Sequence, residues 1–334
     1  MSEKSPEDGM SPCEKRPKSG TDPVGGLRGN GSQMISVIIC TYNRSNSLRN
    51  TLKSLQEMSV PTNLRWELIV VDNNSKDDTR EVVKDCAVTS GLNIKYVFEG
   101  KQGLSHARNR SIAEAKGDIL AFTDDDCIVS GSWVQSIFKE FKADPEISVI
   151  GGRVELYNPN DRPVTTRTCK ERVRFSVPGQ FVNLMAGCNM AVGRQIFAEV
   201  GMFDPDFGAG AMFLSSEDSD FLYRAYKNNL KIVYSPDVLV YHNHGRRTEA
   251  QVESLKQGYV VGRGAFYCKH ILRGDRDVLK LAFREVCSLI ISLLVTLVVL
   301  KPIKGQKRLL GGLAMGAVLK LRSSRQQRGY TGVS

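Results

Sequence analysis

The sequence predicts an α/β fold with a mostly parallel sheet flanked by helices, and three observations carry that prediction. Short apolar runs recur at 35–40, 66–71, 94–98 and 119–123. Such runs suit strands buried on both faces. Segments with helical features lie between them. Leu48, Thr51, Leu52 and Leu55 recur at helical spacing, a helix over 77–90 has acidic residues in its first turn, and 105–116 reads as a third helix. Strands alternating with helices of this length make βαβ units. The third observation is that the first, second and fourth runs each end in a polar patch: Thr41-Tyr42-Asn43-Arg44, Asp72-Asn73-Asn74-Ser75 and Asp124-Asp125-Asp126. Ligands of parallel sheets bind beyond the carboxyl ends of the strands.

The carboxylate triplet is the most informative of these patches. In an extended segment, Asp124 and Asp126 share a face and Asp125 points the other way. Two carboxylates that close repel unless a proton or a cation lies between them. A hard divalent ion such as Mg²⁺ or Mn²⁺ is the natural occupant, and a solvated acidic turn is the competing reading. No G-x-G-x-x-G follows the first run and no G-x-x-x-x-G-K-[ST] occurs anywhere. That argues against a dinucleotide oxidoreductase and a P-loop NTPase.

The chain has 334 residues, 41% of them hydrophobic, and a formal charge of +10. The charge is uneven. Residues 245–334 carry 17 Lys and Arg against 5 Asp and Glu, while the rest carries a net −2. A basic end implies a polyanion. Eight cysteines, Cys13, Cys40, Cys86, Cys127, Cys169, Cys188, Cys268 and Cys287, have no zinc-ligand spacing and read as buried thiols of a reducing compartment. The first residues have no apolar core, so no secretory signal is expected there. Three regions follow: a disordered, Ser/Pro/Gly-rich tail at 1–33, the α/β domain at 34–245 and a basic helical region at 246–334.

Eight motifs in order then make a resemblance. They are Val37-Ile-Ile-Cys-Thr-Tyr-Asn43, Leu68-Ile-Val-Val-Asp72-Asn-Asn-Ser-Lys-Asp-Asp-Thr79, Gly103-Leu-Ser-His-Ala-Arg-Asn109 and Ile119-Leu-Ala-Phe-Thr-Asp-Asp-Asp126. Gly187-Cys-Asn-Met-Ala191, Val200-Gly-Met-Phe-Asp-Pro205, Ser216-Glu-Asp-Ser-Asp220 and Val240-Tyr-His-Asn-His-Gly245 complete the series. Over residues 34–245 the chain resembles the inverting, nucleotide-sugar-dependent glycosyltransferases of family 2, whose Rossmann-like fold is called GT-A. The resemblance implies that Thr41, Tyr42 and Asn43 line the base pocket and that Asp72 accepts a hydrogen bond from the base. It implies that Asp124 approaches the ribose and that Asp126 binds a Mn²⁺ or Mg²⁺ ion on the diphosphate, with Arg108 as a donor-side cation. A solvated helix arginine is the other reading of Arg108. The implied donor is a UDP-, dTDP- or GDP-sugar, and Asp72 fits uracil or thymine most simply.

Glu217, Asp218 and Asp220 form a second acidic cluster. From the residues alone they read as the acidic first turn of a helix capped by Ser215 or Ser216. The resemblance instead implies that Asp218, with Glu217 second, is the general base for the acceptor hydroxyl. His242 and His244 are two apart after an apolar strand and make a ligand pair candidate. The resemblance favours His242 on the metal or diphosphate, and either histidine fits. Residues 187–191 are expected at the floor of the acceptor cleft. The Gly-rich stretch 207–213 reads as a mobile lid or as a plain surface loop.

The apolar runs 286–300 and 309–319 are each short of the ~20 residues that span a bilayer. They read as a helical hairpin in the cytoplasmic leaflet, peripheral or monotopic, with Lys and Arg on anionic headgroups. A buried helical pair is the alternative. Nucleic acid is disfavoured because the basic residues interleave with long aliphatic runs and few aromatics. The acceptor expected from membrane attachment is a glycan or a lipid-linked sugar. Two other functions share part of this logic: a sugar-phosphate nucleotidyltransferase, whose Gly-rich basic loop is missing at 41–44, and a non-catalytic glycan- or nucleotide-binding module, which would have lost the carboxylates.

Overall fold

Ile35, Val37, Ile38 and Ile39 are fully buried in an interior strand of the sheet. That strand, β1 (Met34–Thr41), pairs in parallel with β2 (Arg65–Asp72) on one side and β4 (Ile119–Asp124) on the other. Burial on both faces explains its unbroken apolar run. The computed structural model describes residues 33–177, 185–298 and 304–330, with the backbone alone at 292–298, 304–308, 322 and 324–330. The expected N-terminal tail falls outside these residues, apart from Gln33.

β3 (Ile94–Phe98) pairs in parallel with β2, so the first half of the sheet runs β3-β2-β1-β4. Helices α1 (Ser45–Gln56), α2 (Thr79–Thr89) and α3 (Leu104–Glu114) connect these strands, close to their expected bounds. Beyond β4 the sheet turns mixed. β8 (Asn189–Gly193) pairs antiparallel with both β4 and β6 (Ile147–Leu156), and β6 runs parallel to β9 (Lys231–His242). Short β5 (Cys127–Val129) and β7 (Val173–Arg174) pair antiparallel with β9. α4 (Trp133–Ala143) and α5 (Ile196–Val200) complete this part.

Asn189 fastens the mixed half. It is fully buried, donates to the carbonyls of Arg153 and Val238 at 2.9 Å each, and accepts from Trp133 Nε1 at 2.9 Å. Gly152 makes room for it, because a Cβ there would lie 2.2 Å from Asn189 Nδ2. The expected acceptor-floor residue is thus a structural hub. Its carboxamide is spent inside the sheet.

The chain divides into two units. The sheet belongs to the first. The second holds residues 102–105, 203–220 and the C-terminal helices α7 (Glu249–Ile271), α8 (Arg276–Val298) and α9 (Lys304–Tyr330). α6 (Glu217–Lys227) starts in the second unit and continues into the first. α7 opens with a capping box in which Thr248 and Gln251 satisfy each other's backbone N–H groups. The first apolar run lies in α8, with 299–300 outside the described residues, and the second lies in α9. The main partner of α9 is α7 and not α8. Their backbones touch at glycines, since a Cβ on Gly264 would lie 2.3 Å from Leu313 O and one on Gly316 would lie 2.0 Å from Val261 O.

Within the second unit, the Gly-rich stretch is pinned. Phe203, Phe207 and Phe213 are buried, and the last two rings meet at 5.1 Å between centroids, tilted by 50°. A plain surface loop would not bury both of its phenylalanines, Phe207 and Phe213.

Candidate active site

The site forms where the strand order reverses. β1 sits between β2 and β4, and the crevice beyond β1 and β4 is the switch point where open α/β sheets bind ligands. Thr41 ends β1 opposite Asp72, and Cys40 pairs with Asp124. The first unit therefore brings Thr41, Tyr42, Asn43, Asp72 and Asp124 to neighbouring strand ends.

β4 stops at Asp124, and Asp125-Asp126 form a turn before β5. The strand alternation expected for the triplet therefore breaks after its first member. Arg44 bridges the other two, with NH1 3.0 Å from Asp125 Oδ1 and NH2 2.8 Å from Asp126 Oδ2. Asp125 also accepts from Thr41 Oγ1 at 2.7 Å, and its backbone oxygen accepts from Thr51 Oγ1 at 2.9 Å. Burial raises Asp125 to about 7, with Arg44 pulling in the other direction. Thr41 thus contributes to the site by holding Asp125.

Asp126 is buried and turned towards His242, whose Nε2 lies 3.1 Å from Oδ1. On the other side of the ring, Nδ1 lies 2.9 Å from Thr165 Oγ1, and Thr165 donates its own hydroxyl proton to Val164 O. Nδ1 therefore carries a hydrogen, and Nε2 is the atom presented to Asp126. Burial works against the imidazolium, but the hydrogen bond and charge of Asp126 outweigh it and raise His242 to about 9. Burial likewise opposes the Asp126 carboxylate, and His242 and Arg44 overcome it and hold its pKa below the usual carboxylate range.

His244 goes elsewhere. It is buried with Nδ1 3.6 Å from Asp161 Oδ2, while Gly245 N donates to the same oxygen at 2.9 Å. The two rings meet edge to face, 5.1 Å between centroids, but their polar partners differ, and His242 is the one beside the carboxylate cluster.

Asp126, Cys127 and His242 each offer a ligand atom, all within 4.8 Å of one another. A carboxylate oxygen and an imidazole nitrogen suit a divalent ion. The hydrogen bond to Cys188 and burial raise the Cys127 thiol well above its ordinary value, which leaves it a weak third donor beside them. The donor set fits a divalent cation.

Asp72 is buried. Its Oδ2 accepts from Tyr96 OH at 2.7 Å and its Oδ1 from Ser75 N at 2.8 Å. Those bonds fix the carboxylate and leave each oxygen a second lone pair. Asn43 adopts φ 52°, takes the Lys76 N–H on Oδ1 at 2.6 Å and gives its own N–H to Ser75 Oγ at 3.0 Å. Tyr42 is 45% exposed beside this rigid turn. Arg108 is buried, 3.8 Å from Asp124 Oδ1 and over the Phe122 ring at 6.0 Å. A solvated helix arginine is therefore not its role.

The second unit carries the other acidic cluster. Glu217 is buried against Gly208, whose φ is 106°. Asp218 is half-buried and accepts from Ser219 N at 2.6 Å. Asp220 is fully buried. Ser215 Oγ donates to Gly258 O at 3.1 Å, so one of the two hydroxyls expected to cap the helix is used to tie α7.

Sequence reasoning missed Arg44, Thr165, Tyr96 and Cys127 as parts of the first site. Arg44 stood in a polar strand-end patch, which was a usable signal. Nothing in the sequence singles out Thr165, which reaches His242 from 77 positions away.

A mixed sheet with nucleotide-type strand ends and a carboxylate turn at the switch point defines a GT-A glycosyltransferase. The glycosyl transferase family 2 model matches residues 36–201, and the chain belongs to that family. It is 26% identical over 234 residues to the glycosyltransferase AglE of Haloferax volcanii, covering 69% of this chain and 72% of AglE. It is 34% identical over 209 residues to the succinoglycan biosynthesis protein ExoM of Rhizobium meliloti, covering 62% of this chain and 66% of ExoM. Among solved structures, the mannosyltransferase PcManGT from Pyrobaculum calidifontis, in complex with GDP-Man and Mn²⁺, aligns with a TM-score of 0.58 at 19% identity over 90% of both chains. S. aureus TarS aligns with a TM-score of 0.54 at 20% identity, over 70% of this chain and 64% of that one. At these identities the likeness to solved structures is one of fold.

Proposed function

We propose that the chain transfers a sugar from a nucleoside-diphosphate sugar to an acceptor hydroxyl with inversion. The observation that carries the reading is the assembly of Arg44, Asp125, Asp126 and His242 at the switch point. Thr41, Tyr42, Asn43 and Asp72 take the nucleoside, and a UDP- or dTDP-sugar suits Asp72 best, with GDP-sugars also compatible. Asp124 takes the ribose side. A Mn²⁺ or Mg²⁺ ion on Asp126 and His242, beside Asp124, would offset the charge of the departing diphosphate. Arg108 adds a buried positive charge next to Asp124.

Asp218 accepts the proton of the acceptor hydroxyl as its oxygen bonds to the anomeric carbon, and Glu217 is the second candidate. The bond from that carbon to the diphosphate breaks on the opposite face, and the electron pair leaves with the nucleoside diphosphate. Support for this assignment is the family resemblance and the half-buried placement of Asp218 within its unit. Asp218→Asn is expected to bind nucleoside diphosphate as the wild type does and to lose at least 100-fold in transfer. Transfer at the wild-type rate would move the base elsewhere.

We also infer that the chain works on the cytoplasmic face of a membrane, on a lipid-linked or growing glycan. Among the described residues no helix is long and apolar enough to cross a membrane. α8, however, exposes Leu279, Phe283, Val286 and Ile290 along one face. Exposed Lys280 and Arg284 flank that face. An apolar stripe beside a basic edge suits a helix lying in an anionic interface.

A further inference from the structure

The second unit holds its acidic turn with a buried charge network that the reaction as proposed does not use. Lys269, near the end of α7, places Nζ 2.6 Å from Asp220 Oδ1 and 2.8 Å from Asp204 Oδ2. His270 places Nε2 2.9 Å from the same Asp220 oxygen. Lys269, His270 and Asp220 are all buried. Two helices later, Lys320 of α9 is buried too, with Nζ 2.9 Å from Asp206 Oδ2. Both lysines lie over the Phe207 ring, at 5.2 and 5.5 Å. Burial alone would raise Asp204, but the charge and hydrogen bond of Lys269 overturn that and hold it below the usual carboxylate range.

The gripped segment is also strained. Leu214 and Ser216 have φ of 57° and 73°, a region unfavourable for residues with a Cβ. Such strain persists only where the surroundings over-determine it. Here Ser215, between the two, is tied to Gly258 O. α7 passes this point at Gly262, where a Cβ would lie 2.2 Å from Ser215 Oγ and 2.9 Å from Phe213 O. Asp204, Asp206 and Asp220 thus lie at the start and end of one segment, and all three are held by cations from the C-terminal helices. Glu217 and Asp218 lie between the anchors.

We propose that Lys269 is a positioning residue for the acidic turn: by clamping Asp220 and Asp204, with His270 on the same Asp220 oxygen, it fixes the aim of the Glu217 and Asp218 carboxylates. The C-terminal helices are then part of the catalytic apparatus as well as an attachment device. Charged clamps suit this task, because a buried cation between two carboxylates tolerates little displacement, and misplacing a reacting group by about 1 Å costs on the order of 100-fold in rate. The proposal rests on the reading of Asp218, with Glu217, as the base.

The test uses the full chain, with UDP-glucose, dTDP-glucose and GDP-mannose as donor probes, Mn²⁺ present and water as acceptor. Release of nucleoside diphosphate is measured per nucleotide site, counted by binding stoichiometry. Lys269→Met is expected to lower kcat at least tenfold and to leave donor KM within twofold. Lys269→Arg, which still bridges two carboxylates, is expected to recover kcat to within about threefold of wild type. Asp220→Asn keeps the shape of the side chain and serves if Lys269→Met does not fold; the same loss in kcat is expected. Wild-type kcat per site in folded Lys269→Met or Asp220→Asn overturns the proposal. So does an equal loss in Lys269→Met and Lys269→Arg, which would mark a packing role. Asp218→Asn, run in parallel, separates the two claims: if it keeps kcat, the base assignment fails; if it loses kcat while Lys269→Met keeps it, the clamp alone fails.

Discussion

Asp126 is a buried carboxylate between two cations, Arg44 at 2.8 Å and His242 at 3.1 Å. Taking such a charge out of water costs several kcal/mol, which only close partners offset. Asp126→Ala removes the anion and leaves both cations. Arg44 is 41% exposed and rehydrates easily, and it keeps Asp125 as a partner. The variant is therefore expected to fold, with an unchanged far-ultraviolet circular dichroism spectrum. It is expected to lose divalent-dependent donor turnover by at least 100-fold. Wild-type turnover by Asp126→Ala, or full activity of the wild type in EDTA, would remove the metal from the account. The carboxylates were legible in the sequence because three acids close an apolar run. Their partners were less so. Arg44 meets Asp125 and Asp126 across 81 and 82 positions, and the alternation rule stops at the turn that makes this meeting possible.

At the scale of elements, the parallel strands were readable and the mixed half was not. β1, β2 and β4 are near-continuous apolar runs because they are buried on both faces. β5 and β7 have three residues and two, too few to show a period. The C-terminal helices were readable as apolar runs, but their pairing was not, because it depends on glycines that sequence reading treats as helix weakeners. Gly316 shows the point. Gly→Ala in a helix interior ordinarily stabilises by about 1 kcal/mol. Here the new Cβ would lie 2.0 Å from the Val261 carbonyl oxygen, a backbone atom that cannot swing aside. Overpacking of this kind costs about 1–3 kcal/mol. Gly316→Ala is therefore expected to lower stability in a urea melt, against its helix propensity, and a gain would show that α7 and α9 are not in backbone contact.

For the whole molecule, charge and apolar surface point the same way. The chain carries +10 overall, and residues 245–334 carry the excess. On α8 the exposed stripe of Leu279, Phe283, Val286 and Ile290 lies beside Lys280 and Arg284. Polybasic segments gain about 1 kcal/mol per Lys or Arg at an anionic surface, an attraction that salt screens. The chain is expected to sediment with phosphatidylglycerol-containing vesicles and much less with neutral phosphatidylcholine vesicles. Lys280→Glu with Arg284→Glu is expected to weaken that binding, and equal binding to both vesicle types would exclude an electrostatic membrane surface.

The first unit's claim is a nucleoside-diphosphate site built around Asp126 and His242. Isothermal titration with UDP, dTDP and GDP, each with Mn²⁺ and again after chelation, tests it most directly. The expected result is saturable binding of at least one nucleotide, strongest for UDP or dTDP, weakened tenfold or more when the ion is removed. Binding of none of the three, or the same affinity with and without the ion, would contradict it.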